Sequence, residues 1–99
     1  MASTKEYRDY ILEQLNILEN ITCKPMMGEY LLYHHGVIFG GIYDDRFLIK
    51  KVESNKKYEL SEQIPYEKAK PMYLVDTEDQ ELIKEMVIDT YNDLKATQK

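Results

Sequence analysis

Few side chains in this sequence have the type and spacing that chemistry requires. His34-His35 offers two imidazoles, but neighbours on a strand point to opposite faces, so the pair does not readily chelate one ion. Cys23 is the sole cysteine. Beside a histidine it would make a thiol nucleophile, yet no glycine-rich turn or orienting acid accompanies it, and free cysteines are commonly small buried hydrophobes. Asp44-Asp45-Arg46 has the carboxylates for a cation site. Turn chemistry explains it more simply, because aspartates tolerate a tight-turn backbone and Arg46 neutralises one of them. The sequon Asn20-Ile21-Thr22 has meaning only in a secreted chain. Lys50, Lys51, Lys56, Lys57, Lys68 and Lys70 would form a basic rim, but Glu53, Glu59, Glu62 and Glu67 are interleaved with them, which favours a mixed solvated edge. No catalytic residue, metal site or cofactor is assigned on these grounds.

The elements that must carry these residues fit one domain over residues 1–99. A chain of 99 residues buries only about two-thirds of its unfolded surface and supports one core. With 43% hydrophobic and 31% charged residues, and only four Gly and three Pro, disorder is excluded. The net charge of −5 repels phosphate backbones and argues against direct nucleic-acid binding. No apolar run reaches the roughly 18 residues of a bilayer span, and the N-terminus has no basic region followed by an apolar stretch. No membrane association and a cytoplasmic location are expected.

Ser3 and Glu6 have the spacing of a reciprocal helix cap, and Tyr10, Ile11, Leu15 and Leu18 then form one stripe of a helix. Ile21 to Cys23 suits a short strand, which Pro25 confines to an edge. Between Glu29 and Lys51, three apolar runs separated by His35-Gly36 and Asp44-Asp45 predict an antiparallel meander. Taking both dipeptides as two-residue loops pairs Tyr33 with Ile38, Leu32 with Phe39 and Leu31 with Gly40, then Ile42 with Phe47 and Gly40 with Ile49. Residues 54–57 read as a loop, and the prolines of the Pro65–Pro71 stretch leave room for at most one helical turn. Met72 to Val75 is the last strand. Thr77 and Gln80 repeat the cap spacing before a helix with Leu82, Ile83, Met86, Val87, Tyr91 and Leu94 on one face. Residues 95–99 should fray.

The fold class is therefore α+β: a two-layer sandwich with an antiparallel sheet of about five strands and an N-terminal and a C-terminal helix on one face. Strand alternation sorts Leu31, Tyr33, Ile38, Gly40, Ile42, Phe47 and Ile49 onto a charge-free face, taken as the core. The opposite face keeps Tyr30, Leu32, Phe39, Tyr43 and Leu48, more apolar surface than solvent requires. These five are the expected anchors of a protein interface, and the same surface suits a homodimer. A second reading is a small-molecule site or minor enzyme in a pocket where Tyr66 of the Pro65–Pro71 segment meets Cys23 and a histidine.

Three blocks carry a family likeness. Met26-Met27-Gly28-Glu29-Tyr30-Leu31-Leu32-Tyr33, then Phe39-Gly40-Gly41-Ile42-Tyr43-Asp44-Asp45-Arg46-Phe47-Leu48-Ile49-Lys50, then Pro65-Tyr66-Glu67-Lys68-Ala69-Lys70-Pro71-Met72 with the helix after Thr77, resemble the N-terminal domain of the TfoX/Sxy competence regulators. The likeness covers about residues 7–95 and is greatest to the short, stand-alone members. Where the better-known branch reads Met-Phe-Gly-Gly, this chain has Met26-Met27-Gly28-Glu29. The resemblance implies an α/β domain with an antiparallel sheet, no known catalytic residues, and a regulatory role in transcription through a protein partner. In the full-length regulators that partner is the cAMP receptor protein at competence promoters. The resemblance carries no site residue onto these positions.

Overall fold

The computed structural model describes residues 3–97. In chain order it contains α1 (Lys5–Gln14), β1 (Ile21–Met26), β2 (Glu29–His34), β3 (Val37–Ile42), β4 (Phe47–Ile49), a 3-10 helix (Glu53–Tyr58), β5 (Glu62–Gln63), β6 (Met72–Leu74) and α2 (Gln80–Thr97). The six strands form one antiparallel sheet in the order β1-β2-β3-β4-β6-β5. The expected α+β arrangement is present, with β5 as the additional strand. Of the expected frayed end, α2 continues through Thr97, and Gln98 and Lys99 lie outside the described residues.

Each helix starts one or two residues from its expected cap. Thr4, not Ser3, caps α1 by accepting the Tyr7 amide at 3.1 Å, and Asp79 caps α2 by accepting the amides of Glu81 and Leu82 at 3.0 and 3.3 Å. Both satisfy amides that have no partner inside the helix. Ser3 is freed for the β3–β4 turn: its hydroxyl donates to Glu29 Oε1 at 2.6 Å and accepts the Asp45 amide at 3.0 Å. The α1 helix stops at Gln14, and Gln80 Nε2 donates to the carbonyls of Glu13 and Gln14 at 3.2 and 3.3 Å. Those are carbonyls that a helix C-terminus leaves open.

Three two-residue turns organise the sheet. Met27-Gly28, His35-Gly36 and Asp44-Asp45 all have positive φ at both positions, the geometry whose twist matches antiparallel strands. The two predicted loops are therefore correct, and the second gives the expected pairs Ile42–Phe47 and Gly40–Ile49. The first does not keep its expected register. Tyr33 pairs with Ile38, but Leu32 pairs with Gly40 and Leu31 with Gly41, leaving Phe39 as an extra residue in β3.

That bulge corrects the assignment of faces. Because side chains alternate with a period of two, one inserted residue transfers the partner strand to the opposite face. Tyr30 and Leu32 now share a side with Ile42, Phe47 and Ile49, and it is this side that receives the helices: Ile11 of α1, Leu15 at its C-cap, and Ile83, Met86 and Val87 of α2 belong to the same core cluster as Tyr30, Leu32, Phe39 and Phe47. The Arg8 guanidinium of α1 sits 5.3 Å from the Tyr30 ring centroid. Leu31, Tyr33 and Ile38, expected inside, are instead half-exposed on the helix-free face.

The predicted loop at 54–57 is a 3-10 helix tied to α2 by polar contacts. Asn55 is completely buried. Its amide group donates to the Lys50 carbonyl at 2.8 Å and Thr90 Oγ1 at 2.9 Å, and its Oδ1 accepts the Val52 amide at 3.1 Å. The Tyr58 hydroxyl donates to Asp89 Oδ2 at 2.6 Å, and Ser54 bonds Asp93 and the Asp89 carbonyl. Removing the Asn55 amide would break a buried bond to Thr90 Oγ1 and take this partner from the half-buried Val52 amide and Lys50 carbonyl. Asn55→Ala should therefore lower stability by about 2–3 kcal/mol, read as a shift of the urea midpoint at unchanged slope.

Candidate functional site

With both helices on one side, the other side of the sheet is covered only in part, by the segment between β5 and β6. Arg46 fastens that segment. Its Nε donates to the Tyr43 carbonyl at 3.2 Å, Nη1 to Gln63 Oε1 at 3.2 Å, and Nη2 to the carbonyls of Ile64 and Pro65 at 3.2 and 3.4 Å. The expected neutralisation of a neighbouring aspartate is thus corrected: the guanidinium fork is occupied by carbonyl and amide oxygens, and Asp45 Oδ1 accepts the Thr4 amide at 2.8 Å. The turn reading of Asp44-Asp45 stands, with the Asp44 amide donating to Glu29 at 3.1 and 3.2 Å. The single predicted helical turn appears as the Ala69 amide donating to the Tyr66 carbonyl at 3.0 Å.

Between this segment and the sheet lies a groove of about 750 Å³. Its floor is Leu31, Ile38 and Gly40, with Met26 of β1 at one end and Met72 of β6, four strands away, at the other. Pro65, Tyr66, Ala69 and Pro71 form the wall over this floor, and Lys50, Lys51 and Lys70 border it. Tyr43 separates floor from wall. Its ring lies over Gly41, where a Cβ would come within 2.7 Å of it, and stands 6.1 Å from the Tyr66 ring. Only glycine allows that approach. Burial, then the nearby Tyr66, raises the Tyr43 hydroxyl above its ordinary pKa, so the ring stays neutral. Of the bordering lysines, Lys51 pairs with Glu62 at 3.1 Å. Among the described residues no carboxylate lies within ion-pair distance of Lys50 or Lys70.

The five expected interface anchors are not on an open surface. Tyr30, Leu32, Phe39, Tyr43 and Leu48 are 9, 0, 0, 6 and 0% exposed. The first three lie under the helices because of the bulge. Tyr43 and Leu48 do face the helix-free side, Leu48 opposite Gly41 and Leu74, but they are covered within the chain. What that side offers instead is Leu31, Ile38, Met26 and Met72, the first two assigned to the core by alternation alone. The signal for the reversal was present as Gly40-Gly41 directly after Phe39, since glycine inside a strand often marks a bulge.

The pocket of the second reading exists in location but not in chemistry. Tyr66 and the Pro65–Pro71 segment line the groove, whereas Cys23 pairs with Leu32 and packs against the helix-side core. Burial raises its thiol pKa, partly offset by Arg8, so it is protonated at neutral pH. The histidines lie elsewhere too. His35 sits in the turn rather than on the strand, so the two rings approach to 4.3 Å, correcting the expectation that they diverge, and both meet Tyr91 of α2 at 4.8 and 5.7 Å. Among the described residues there is no group of three metal-ligating side chains, and the described residues lining the groove include no histidine, cysteine or carboxylate.

His34 is 5% exposed and its Nδ1 has no hydrogen-bond partner. Burial, then the neighbouring His35, lowers its pKa below the ordinary 6.5. A folded-state pKa below the unfolded value means the unfolded chain takes up the proton first, so stability falls as pH drops through and below about 6.5. The urea midpoint should therefore decrease from pH 7 to pH 5 in the natural chain and change less in His34→Phe; equal decreases would contradict this origin. Releasing the groove wall gives a separate signal. In Arg46→Met the Ala69 amide should exchange with solvent at least about tenfold faster in hydrogen-exchange mass spectrometry, with the α2 amides unchanged.

The model of the family described as the TfoX N-terminal domain matches residues 13–92, a span that includes every groove-lining residue. A comparison with curated proteins finds no match.

Proposed function

The chain belongs to the TfoX N-terminal domain family, and from that premise we propose that it is a non-enzymatic regulatory domain that works by holding a protein partner in the groove on its helix-free sheet face. The observation that carries this reading is where apolar surface remains open. Of the six large hydrophobic residues exposed among the described positions, Met26 and Tyr66 line the groove and Met27 and Ile64 adjoin it in the chain. Concentrated apolar surface with a polar rim is what interfaces present, and scattered exposed hydrophobics are not. The role in transcription and competence is the family's and comes to this chain as part of the proposal, as does a location in the cytoplasm. No helix among the described residues is long and apolar enough to cross a membrane.

A small-molecule site in the same groove is the second reading. Its volume falls within the roughly 300–1,000 Å³ usual for ligand pockets. A thermal-shift screen of metabolites separates the two, because reproducible stabilisation by one ligand class favours the pocket.

The reading is tested with Ile38→Asp. This residue is half-exposed on the groove floor, so a carboxylate there remains solvated and the fold should persist by circular dichroism. Proteins retained by the tagged natural chain from native lysate, and then purified and rebound, should be lost by Ile38→Asp and kept by Glu81→Lys on the exposed side of α2. Retention of the same purified partner by Ile38→Asp would overturn the proposal. Light scattering on both forms reads the homodimer alternative, which predicts a mass that halves in the variant.

A further inference from the structure

Resting on that reading, we infer that the occupant of the groove is an extended acidic segment of the partner, about six residues long, that places an apolar side chain on the floor and carboxylates toward Lys50 and Lys70.

Charge is the first argument. The chain carries a net −5, yet the groove is bordered by three lysines and lined by no carboxylate among the described residues. Lys51 has Glu62 at 3.1 Å, while Lys50 and Lys70 have no carboxylate within ion-pair distance among the described residues. Potential of this sign beside an apolar floor selects anionic partners and steers their approach. It does not suit a phosphate backbone, which needs a longer basic track than these lysines supply against an acidic whole.

Shape is the second. The groove runs from Met26 on β1, across Leu31 and Ile38, to Met72 on β6. That crossing takes four inter-strand steps of about 4.8 Å, about 19 Å in all, and an extended chain covers it in about six residues at roughly 3.3 Å each. A compact metabolite would leave most of this length empty. Met26 and Tyr66, at 38 and 59% exposure, are accessible to an incoming segment.

The test is an amide-resolved NMR titration of the full chain with the acetylated, amidated peptide DELFED. Binding should shift the amides of Leu31, Ile38, Ala69 and Met72, weaken steeply as salt rises, and fall at least about tenfold in the Lys50→Glu/Lys70→Glu variant, with a smaller loss in Lys50→Gln/Lys70→Gln. The inference is overturned if the peptide KKLFKK binds as well, if the lysine variants bind unchanged, or if octanoate or a ten-residue oligothymidylate occupies the groove more tightly than DELFED. It is also overturned if light scattering shows the groove filled by a second copy. Failure here with loss of the purified partner by Ile38→Asp removes only the acidic segment; survival of that partner on Ile38→Asp removes the groove reading itself.

Discussion

The residue inserted at Phe39 determines which side of the sheet the helices cover, and every later feature of the molecule depends on that choice. Strand side chains alternate without slack, so an odd insertion cannot be absorbed locally. Opposite Leu32 stands Gly40, where any Cβ would overlap the Leu48 carbonyl, and Phe39 supplies the aromatic volume on the helix side. Fully burying an aromatic or leucine side chain contributes roughly 1.5–3 kcal/mol. With Tyr30, Leu32 and Phe39 joining Ile42, Phe47 and Ile49 under two helices, that side has the greater apolar volume, and the shorter row of Leu31, Tyr33 and Ile38 is left outside.

A sheet covered on one face needs its loops held against the other, and polar side chains do this. Arg46 uses its fork on the carbonyls of Ile64 and Pro65, giving the groove its far wall. Glu29 collects the Ser3 hydroxyl and the Ser3 and Asp44 amides, joining the chain's beginning to the β3–β4 turn. Asn55 joins the 3-10 helix to α2. Such bonds add little individually to net stability but are costly to break once buried. The exposed ion pairs, such as Lys56 with Glu53, matter much less.

Much of this was legible along the chain. The two helices, both dipeptide turns, the edge position announced by Pro25 and the Ile42–Phe47 register follow from local periodicity and turn chemistry, which act over a few residues. The pocket's position beside Pro65–Pro71 was legible too, because two prolines restrict a wall. What misled was the assumption that pairing continues unbroken past Tyr33 and Ile38. The double glycine marked the place where it does not, but glycine in a strand signals a departure without giving its direction. Likewise, Lys50 and Lys70 read as part of an interleaved charged edge; that edge forms in space where Lys51 meets Glu62 and Lys56 meets Glu53, but among the described residues no glutamate comes within ion-pair distance of Lys50 or Lys70.

Alone, the order of residues determined the α+β class, the two helices and the main strands with two of their turns, since these rest on interactions between near neighbours. Only the folded chain decided the sidedness of the sheet, the fate of Tyr30, Leu32, Phe39, Tyr43 and Leu48 as interior residues, and the meeting of Leu31, Ile38, Tyr66 and two lysines around one groove. The reason is that local preferences set how each strand alternates, whereas which of its two faces is buried is a competition over the whole sheet, settled by a single unpaired residue.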